Sequence, residues 1–286
     1  MKLSEIHIRD PFILTFENKY YLFGTPGKYS WEGVGGFFCS VSDDLEEWTE
    51  PALCFEVPDG FWATKNFWAP EVHEYRGKFY MFASFFAEGH MRATQILVAD
   101  RPEGPYIPWS CPVTPSHWMC LDGTFYVEDG VPYMVFCHEW LQTKDGEMCA
   151  IRLSDDLKHA VGEPRVLFTA SQPHWAKTES DSYVTDGPFM HRTKGGKLIM
   201  IWSSFDKNDN YVEAVAVSSN GSINGEWIHC QNLVFDSDGG HGMLFYDLDG
   251  KLRFTMHSPN TPHGNERAKI FTVQEIADDP YLSIKK

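Results

Sequence analysis

The chain has 286 residues, 43% of them hydrophobic and 22% charged. That is the composition of a globular protein able to bury its own core, neither disordered nor fibrous. Lys and Arg number 24 against 40 Asp and Glu, a formal charge of −16; such a surface repels phosphate backbones and anionic lipid, so no nucleic acid and no membrane is expected among its partners.

The chain opens MKLSEIHIRDPF, which lacks the apolar core of a secretion signal, and no run approaches the length of a membrane span. Seven scattered cysteines contain no CxxC pair, which gives zinc and thioredoxin-like readings no support. A reduced, cytoplasmic setting is the expectation, or a secreted or periplasmic one if a leader has been removed.

From Asp10 onward one pattern recurs five times. DPFILTFENKYYLFGT from Asp10, APEVHEYRGKFYMFAS from Ala69, DGTFYVEDGVPYMVFC from Asp122, DGPFMHRTKGGKLIMIWSS from Asp186 and HGMLFYDLDGKLRFTMHS from His241 each join two apolar stretches through a polar turn. Each reads as a β-hairpin. The second stretches end at Thr25, Ser84, His138, Ser204 and Ser258, at intervals of 54 to 66 residues. After each comes a further strand-like run: GGFFCSVS, RATQILVAD, EMCAIRLS, VEAVAVSS and AKIFTV. Self-similarity at this period, with three to four strands per unit, predicts an all-β chain folded as a five-bladed β-propeller over residues 1–286. A β-sandwich with accidental similarity among its hairpins is the alternative. The last strand is expected to pair with the chain's first residues and so protect the sheet edges.

In such a fold the first strand of each blade lines a central channel, so the residues that open the repeats converge. Those are Asp10, the Ala69–Glu71 segment, Asp122, Asp186 and His241. Carboxylates held together repel and drive their pKa values apart, leaving one protonated while another is ionised. An acid and a base across one pocket can cleave a glycosidic bond. Asp129 and Asp249 sit in hairpin turns and read as turn residues. Asp43–Asp44 and Asp155–Asp156 open SDDL segments and read as turn or capping carboxylates.

The segments RDPF at Arg9–Phe12, FWAPEV at Phe67–Val72, LDGTFY at Leu121–Tyr126, TDGPF at Thr185–Phe189 and GGHGMLF at Gly239–Phe245 stand one per repeat, and their ordered set resembles glycoside hydrolase family 43. The resemblance covers essentially the whole chain. It implies an inverting glycosidase acting on α-L-arabinofuranosides or β-D-xylosides of plant-polysaccharide origin, exo-acting, with an oligosaccharide or polysaccharide-derived substrate. Residue by residue, it implies Asp10 as the general base and Asp122 as the carboxylate that orients the acid, hydrogen-bonded to Arg9 or close to the acid itself. The base and acid should lie roughly 6.5–9.5 Å apart.

The fourth repeat reads Asp-Gly-Pro where the family usually has Glu-Gly-Pro, and Asp186 is one methylene shorter than Glu. A misplacement near 1 Å costs on the order of 100-fold in rate. Either Asp186 is the acid in a reshaped site, or Glu71, Glu139 or Glu179 supplies the proton, or catalysis is lost and a carbohydrate-binding propeller remains. The resemblance also implies His241 as a channel residue that ligates calcium directly or through waters, although that ion prefers oxygen ligands. It implies Arg267 as a contact to the substrate or a neighbouring carboxylate, and Arg9 and Glu71 in the substrate pocket. Trp68, beside Phe67, is placed to stack on a sugar face, with Trp31 and Trp140 as further aromatic candidates.

Overall fold

The computed structural model describes residues 1–26, 35–275 and 282–285. Trp31 and most of the Pro26–Gly35 segment therefore lie outside the described residues. The strands assemble into five antiparallel sheets of four, each wound outward from its first strand. Blade one is β1 (Ile8–Phe16), β2 (Lys19–Pro26), β3 (Gly36–Ser42) and β4 (Ala52–Glu56). Blade two is β5 (Lys65–Tyr75), β6 (Lys78–Phe86), β7 (Ala93–Ala99) and β8 (Ile107–Pro108). Blade three is β9 (Cys120–Glu128), β10 (Val131–His138), β11 (Glu147–Leu153) and β12 (Ala160–Thr169), with a single helical turn, α1 (Trp140–Thr143), after its hairpin. Blade four is β13 (Asp186–Arg192), β14 (Leu198–Phe205), β15 (Tyr211–Ser218) and β16 (Trp227–His229), and blade five is β17 (Gly240–Tyr246), β18 (Leu252–Ser258), β19 (Arg267–Glu275) and β20 (Leu282–Lys285). The first strands touch in succession, β1 to β5, β5 to β9, β9 to β13, β13 to β17 and β17 back to β1. That closes the ring of a five-bladed β-propeller.

The middle strands show why these sequences sit in blades. A strand sandwiched between two neighbours must be apolar on both faces, so its side chains alternate between two cores rather than between core and water. Along β10, Met134 and Phe136 pack toward blade two while Val135 and Cys137 pack toward blade four. Along β14, Leu198, Met200 and Trp202 face blade three while Ile199 and Ile201 face blade five. This explains the near-continuous apolar runs PYMVFC and LIMIW.

Ring closure differs from the expectation. Blade five is completed by β20, paired to β19, from the chain's own end. The first residues lie against blade one instead, where Lys2 bridges Glu47 and the Met1 amino group donates to the Trp48 carbonyl. The terminus is thus held by a turn of blade one and by the start of β19, where Arg267 Nε donates to the Ser4 carbonyl at 2.8 Å.

Each inner hairpin breaks register near its start, between Arg9 and Phe12, Trp68 and Glu71, Val135 and Cys137, Asp186 and Phe189, and Gly240 and Met243. At the break one residue takes a left-handed backbone: Asp10 (φ 50°), Ala69 (φ 45°), Asp122 (φ 55°), Gly187 (φ 50°) and His241 (φ 51°). Bulges of this kind re-aim side chains next to active sites. Here they turn one residue of each blade into the channel mouth.

Candidate active site

The five left-handed residues define one layer around the axis, and blade four differs from the others. Asp10, Asp122 and His241 occupy that layer with functional side chains, but in blade four Gly187 occupies it and Asp186 lies one residue earlier. The register makes the shift explicit: Asp186 pairs with Ser203 as Arg9 pairs with Thr25, Trp68 with Ser84, Leu121 with Cys137 and Gly240 with His257. The expectation that Asp186 is equivalent to Asp10 and Asp122 is therefore corrected. The Asp-Gly pairs of repeats three and four look alike but are out of phase. The proline that follows Asp10, Ala69 and Gly187 marks the true register.

The strained backbone of this layer is held by side chains opposite it. Thr25 Oγ1 accepts the Ala69 N–H at 2.7 Å, Ser84 Oγ accepts the Asp122 N–H at 2.9 Å, and Ser203 Oγ accepts the His241 N–H at 2.7 Å. His257 Nδ1 accepts the Asp10 N–H at 3.2 Å. In each case the second strand of one blade satisfies the first strand of the next, which a buried amide requires. The remaining step, from blade three to blade four, has Cys137 at the hydroxyl's position. There Asp122 Oδ2 itself accepts the Gly187 N–H, at 3.2 Å.

Charge follows from this layout. His241 Nδ1 stands 3.2 Å from Asp10 Oδ1 and 3.7 Å from Asp122 Oδ2. Burial disfavours an imidazolium, but Asp10, Asp122, Asp186 and Glu71 outweigh it and push the His241 pKa up to about 9. Burial works against the Asp10 anion too, yet His241, Arg9 and His257, with the Thr25 hydroxyl bonding at 2.6 Å, hold its carboxyl below the usual range. Asp122 and Asp186 move the other way. Burial raises both, Asp10 adds to each, and His241 offsets only part. Asp186 Oδ2 accepts the Tyr211 hydroxyl at 3.0 Å. The cluster thus holds Asp10 below the usual carboxylate range and Asp122 and Asp186 above it, the kind of split an acid–base pair needs. His257 is fixed as a neutral donor to Asn260 Oδ1 (3.3 Å), its pKa lowered to about 3 by burial and by Arg9.

These groups open into a pocket of about 210 Å³ that is also walled by Arg9, Trp68, Arg92, Glu139, Trp140 and Leu141. Of the residues expected here, Asp10, Asp122, Asp186, His241, Arg9, Trp68, Trp140 and, of the alternative proton donors, Glu139 are brought together. Arg9 does not bond Asp122; it is held by Glu266 Oε1 (2.9 Å) and Asn260 Oδ1 (3.0 Å). Glu71 is not in the pocket wall: it lies two residues past the turn at Ala69, buried and bonded to His73 at 3.0 Å. Arg267 is also elsewhere, bonding the Ser4 and Glu266 carbonyls and His7, because it opens the third strand of blade five rather than the first. Glu179 is exposed and away from the pocket. Trp68 lies in the wall, with the Arg92 guanidinium 4.5 Å over its ring.

Calcium prefers oxygen ligands, and the donor expected for it here, His241, presents nitrogen. Its Nδ1 is turned to Asp10, and among the described residues no three His, Cys, Asp or Glu side chains are grouped to hold a metal ion. The imidazolium places positive charge between the two carboxylates.

Tyr211, Glu213, His257 and Arg92 carried no sequence signal. Tyr211, Glu213 and His257 lie on second and third strands and Arg92 just before a third strand, where no recurring motif marks them. Glu213 is buried behind His241, its Oε2 accepting the Ser203 hydroxyl (2.9 Å) and the Gly242 N–H (3.0 Å).

Comparison with known proteins accords with this geometry. The family described as Glycosyl hydrolases family 43 matches residues 3–276. An endo-arabinase from Bacteroides thetaiotaomicron superimposes with a TM-score of 0.90 at 39% identity, over 98% of this chain and 99% of that one. An endo-1,4-beta-xylanase from the same organism gives 0.81 at 26% identity, over 98% and 95%. A xylosidase/arabinosidase from Bacteroides ovatus is 23% identical over 249 residues, 75% of this chain and 74% of that one. Xylosidase/arabinosidase 43A of Humicola insolens is 28% identical over 152 residues, so that this chain matches 48% of itself to only 46% of that relative.

Proposed function

Since this chain belongs to glycosyl hydrolases family 43, we propose that it is an inverting, exo-acting hydrolase of α-L-arabinofuranosidic or β-D-xylosidic bonds in oligosaccharides derived from plant polysaccharide. The observation that carries this reading is the split cluster in a small pocket, with Asp10 held ionised beside His241 and Asp186 raised by burial. Asp10 takes a proton from a water whose oxygen attacks the anomeric carbon. Asp186 gives its proton to the glycosidic oxygen as that bond breaks on the opposite face. Water is thereby added across the bond, and the two carboxyl groups regain their starting states by exchange with solvent.

Asp122 holds the Gly187 amide and so fixes the backbone that carries Asp186. His241 stabilises the Asp10 anion before the proton moves. A volume of about 210 Å³ is below the ~300–1,000 Å³ of pockets that take drug-sized ligands, which suits one terminal sugar rather than the middle of a polymer. A cytoplasmic setting, with short imported oligosaccharides as substrate, goes with that reading, and the cysteines stand as free thiols.

The test is hydrolysis of a panel of aryl α-L-arabinofuranosides and β-D-xylosides, with proton NMR of the first-formed anomer. Inverted product is expected, with Asp10→Asn and Asp186→Asn each losing roughly 10²–10⁴-fold in rate, as for removal of a general base or acid. Retained configuration would overturn the mechanism, and sugar binding without turnover would make the protein a carbohydrate binder.

A further inference from the structure

One wall of the pocket is made by an ion pair with no part in the acid–base steps. Arg92, just before β7, donates through one terminal nitrogen to Glu139 Oε1 and through the other to Asn66 Oδ1 at 3.2 Å. Its guanidinium lies between two aromatic faces, 4.5 Å from the Trp68 ring centroid and 5.5 Å from that of Phe86. Glu139 follows β10 directly and precedes α1. The same short segment fixes both backbones, since the Glu139 N–H bonds the Met119 carbonyl at 2.8 Å and the Cys120 N–H bonds the Arg92 carbonyl at 2.9 Å. Both residues are over nine-tenths buried, at 7% and 2% exposed.

The pair is incompletely satisfied. Glu139 Oε2 and Arg92 Nε are buried with no hydrogen-bond partner within the protein. One is an acceptor and the other a donor, and both belong to residues that line the pocket. Buried polar groups are normally paired, and an orphaned donor and an orphaned acceptor on two ion-paired residues of one pocket wall ask for a group that is both. A sugar hydroxyl is such a group.

We propose that Arg92 and Glu139 form a clamp for one hydroxyl of the bound sugar, Glu139 Oε2 accepting its proton and Arg92 donating to its oxygen, so that this pair sets which pentose the enzyme accepts. The clamp rests on the glycosidase reading above and deepens it. Trp68 and Phe86 hold the guanidinium plane, and Asn66 fixes its rotation, so the pair is rigid before the sugar arrives. A site built around hydrogen bonds to a hydroxyl rejects analogues that lack it, because its own buried groups are then left unpaired.

The test uses 4-nitrophenyl α-L-arabinofuranoside and its three monodeoxy analogues. The unmodified enzyme should lose about 10- to 100-fold in kcat/KM on one analogue, the worth of a hydrogen bond to a charged group. Glu139→Gln should flatten that discrimination, as should Arg92→Met if the Gln variant folds poorly. Unchanged discrimination in both variants overturns the clamp. So does a Glu139→Gln defect that grows as the leaving group worsens, which would make Glu139 a proton donor.

Binding of the same four glycosides to the Asp10→Asn variant reads affinity without turnover. Loss of affinity for a single analogue supports the clamp even if hydrolysis is absent. Equal affinity for all four overturns the clamp alone, and no binding of any overturns it together with the reading on which it rests.

Discussion

The imidazole of His241 packs on the bare backbone of Gly187: a Cβ built there would stand 2.7 Å from His241 Cγ and 2.8 Å from its Cδ2. Gly187 also has φ +50°, where a left-handed backbone costs an L-residue about 1–2 kcal/mol. Gly187→Ala is therefore expected to lower stability by more than that, since the added carbon also meets the His241 Cα at 2.9 Å, and to push the imidazole off Asp10. A displacement near 1 Å in this cluster costs on the order of 100-fold in rate, so kcat/KM should fall far more than the melting temperature indicates. Steady-state kinetics beside thermal denaturation checks this; a variant with normal kcat/KM would show that the His241 position is not critical.

That contact also shows where the sequence was legible and where it was not. The five hairpins were readable because both strands of each are apolar runs broken by a polar turn, and the turn carboxylates behaved as read: Asp44 Oδ1 accepts the Glu46 and Glu47 amides, and Asp129 sits at φ +51°. Asp10, Asp122 and His241 were readable because a propeller gathers the openings of its repeats. The phase of Asp186 was misread, since Asp122-Gly123 and Asp186-Gly187 match in letters while the backbone turns at Asp122 in one and at Gly187 in the other. Arg267 and Glu71 were carried over by resemblance, and local geometry sends both side chains elsewhere. Glu213 and His257 act from second and third strands, whose side chains alternate between blade cores and carry no spacing that singles them out.

His241 as an imidazolium has a consequence for pH. Its folded pKa of about 9 lies above the ordinary 6.5, so its charge stabilises the fold fully below about pH 6.5, and that contribution is lost as pH rises through about 9. His241→Asn removes the cation that opposes the burial of Asp10. The Asp10 carboxyl then rises, and the acid limb of the kcat/KM profile should shift to higher pH, with activity near neutrality reduced. Because the cation here is the side chain itself, treatment with a chelator and addition of calcium should each leave kcat and melting temperature unchanged. A chelator-sensitive activity restored by calcium would refute this account of His241.

Glu213 gives a signature of the same sign in a separable, lower pH window. Its carboxyl is buried with Oε1 unpartnered, and burial, against Ser203 and His241, pushes its pKa up to about 8 from 4.5. Between those values the unfolded chain releases a proton that the folded one keeps, so stability falls with rising pH by up to about 1.4 kcal/mol per pH unit. Glu213→Gln keeps an acceptor for Ser203 and Gly242 and cannot ionise. The variant should be more stable than the parent at pH 8, with the difference vanishing near pH 4.5. Urea denaturation across that range measures it, and parallel curves for the two proteins would exclude the proposed titration.

Cys137 stands where the four other blades place a hydroxyl or imidazole that caps the next blade's left-handed amide, and the missing cap is replaced by Asp122, bonded to Gly187 at 3.2 Å. The thiol is a weak hydrogen-bond acceptor, so it competes poorly for that amide and leaves it to the carboxylate. Cys137→Ser supplies the missing hydroxyl with little change in volume. The serine should take the Gly187 amide, as Ser84 takes that of Asp122, and release Asp122 from the hydrogen bond that favours its ionised form. Folding should be preserved to within about 1–2 kcal/mol, since a polar group added to this buried position finds a donor. Activity should fall several-fold, because a residue oriented by a fixed amide becomes free to move within a site that depends on sub-ångström placement. The pH profile separates this from simple destabilisation: the limb set by the Asp122–Asp186 pair should move in Cys137→Ser and stay in place in Cys149→Ser, whose thiol is equally buried but remote from both carboxylates.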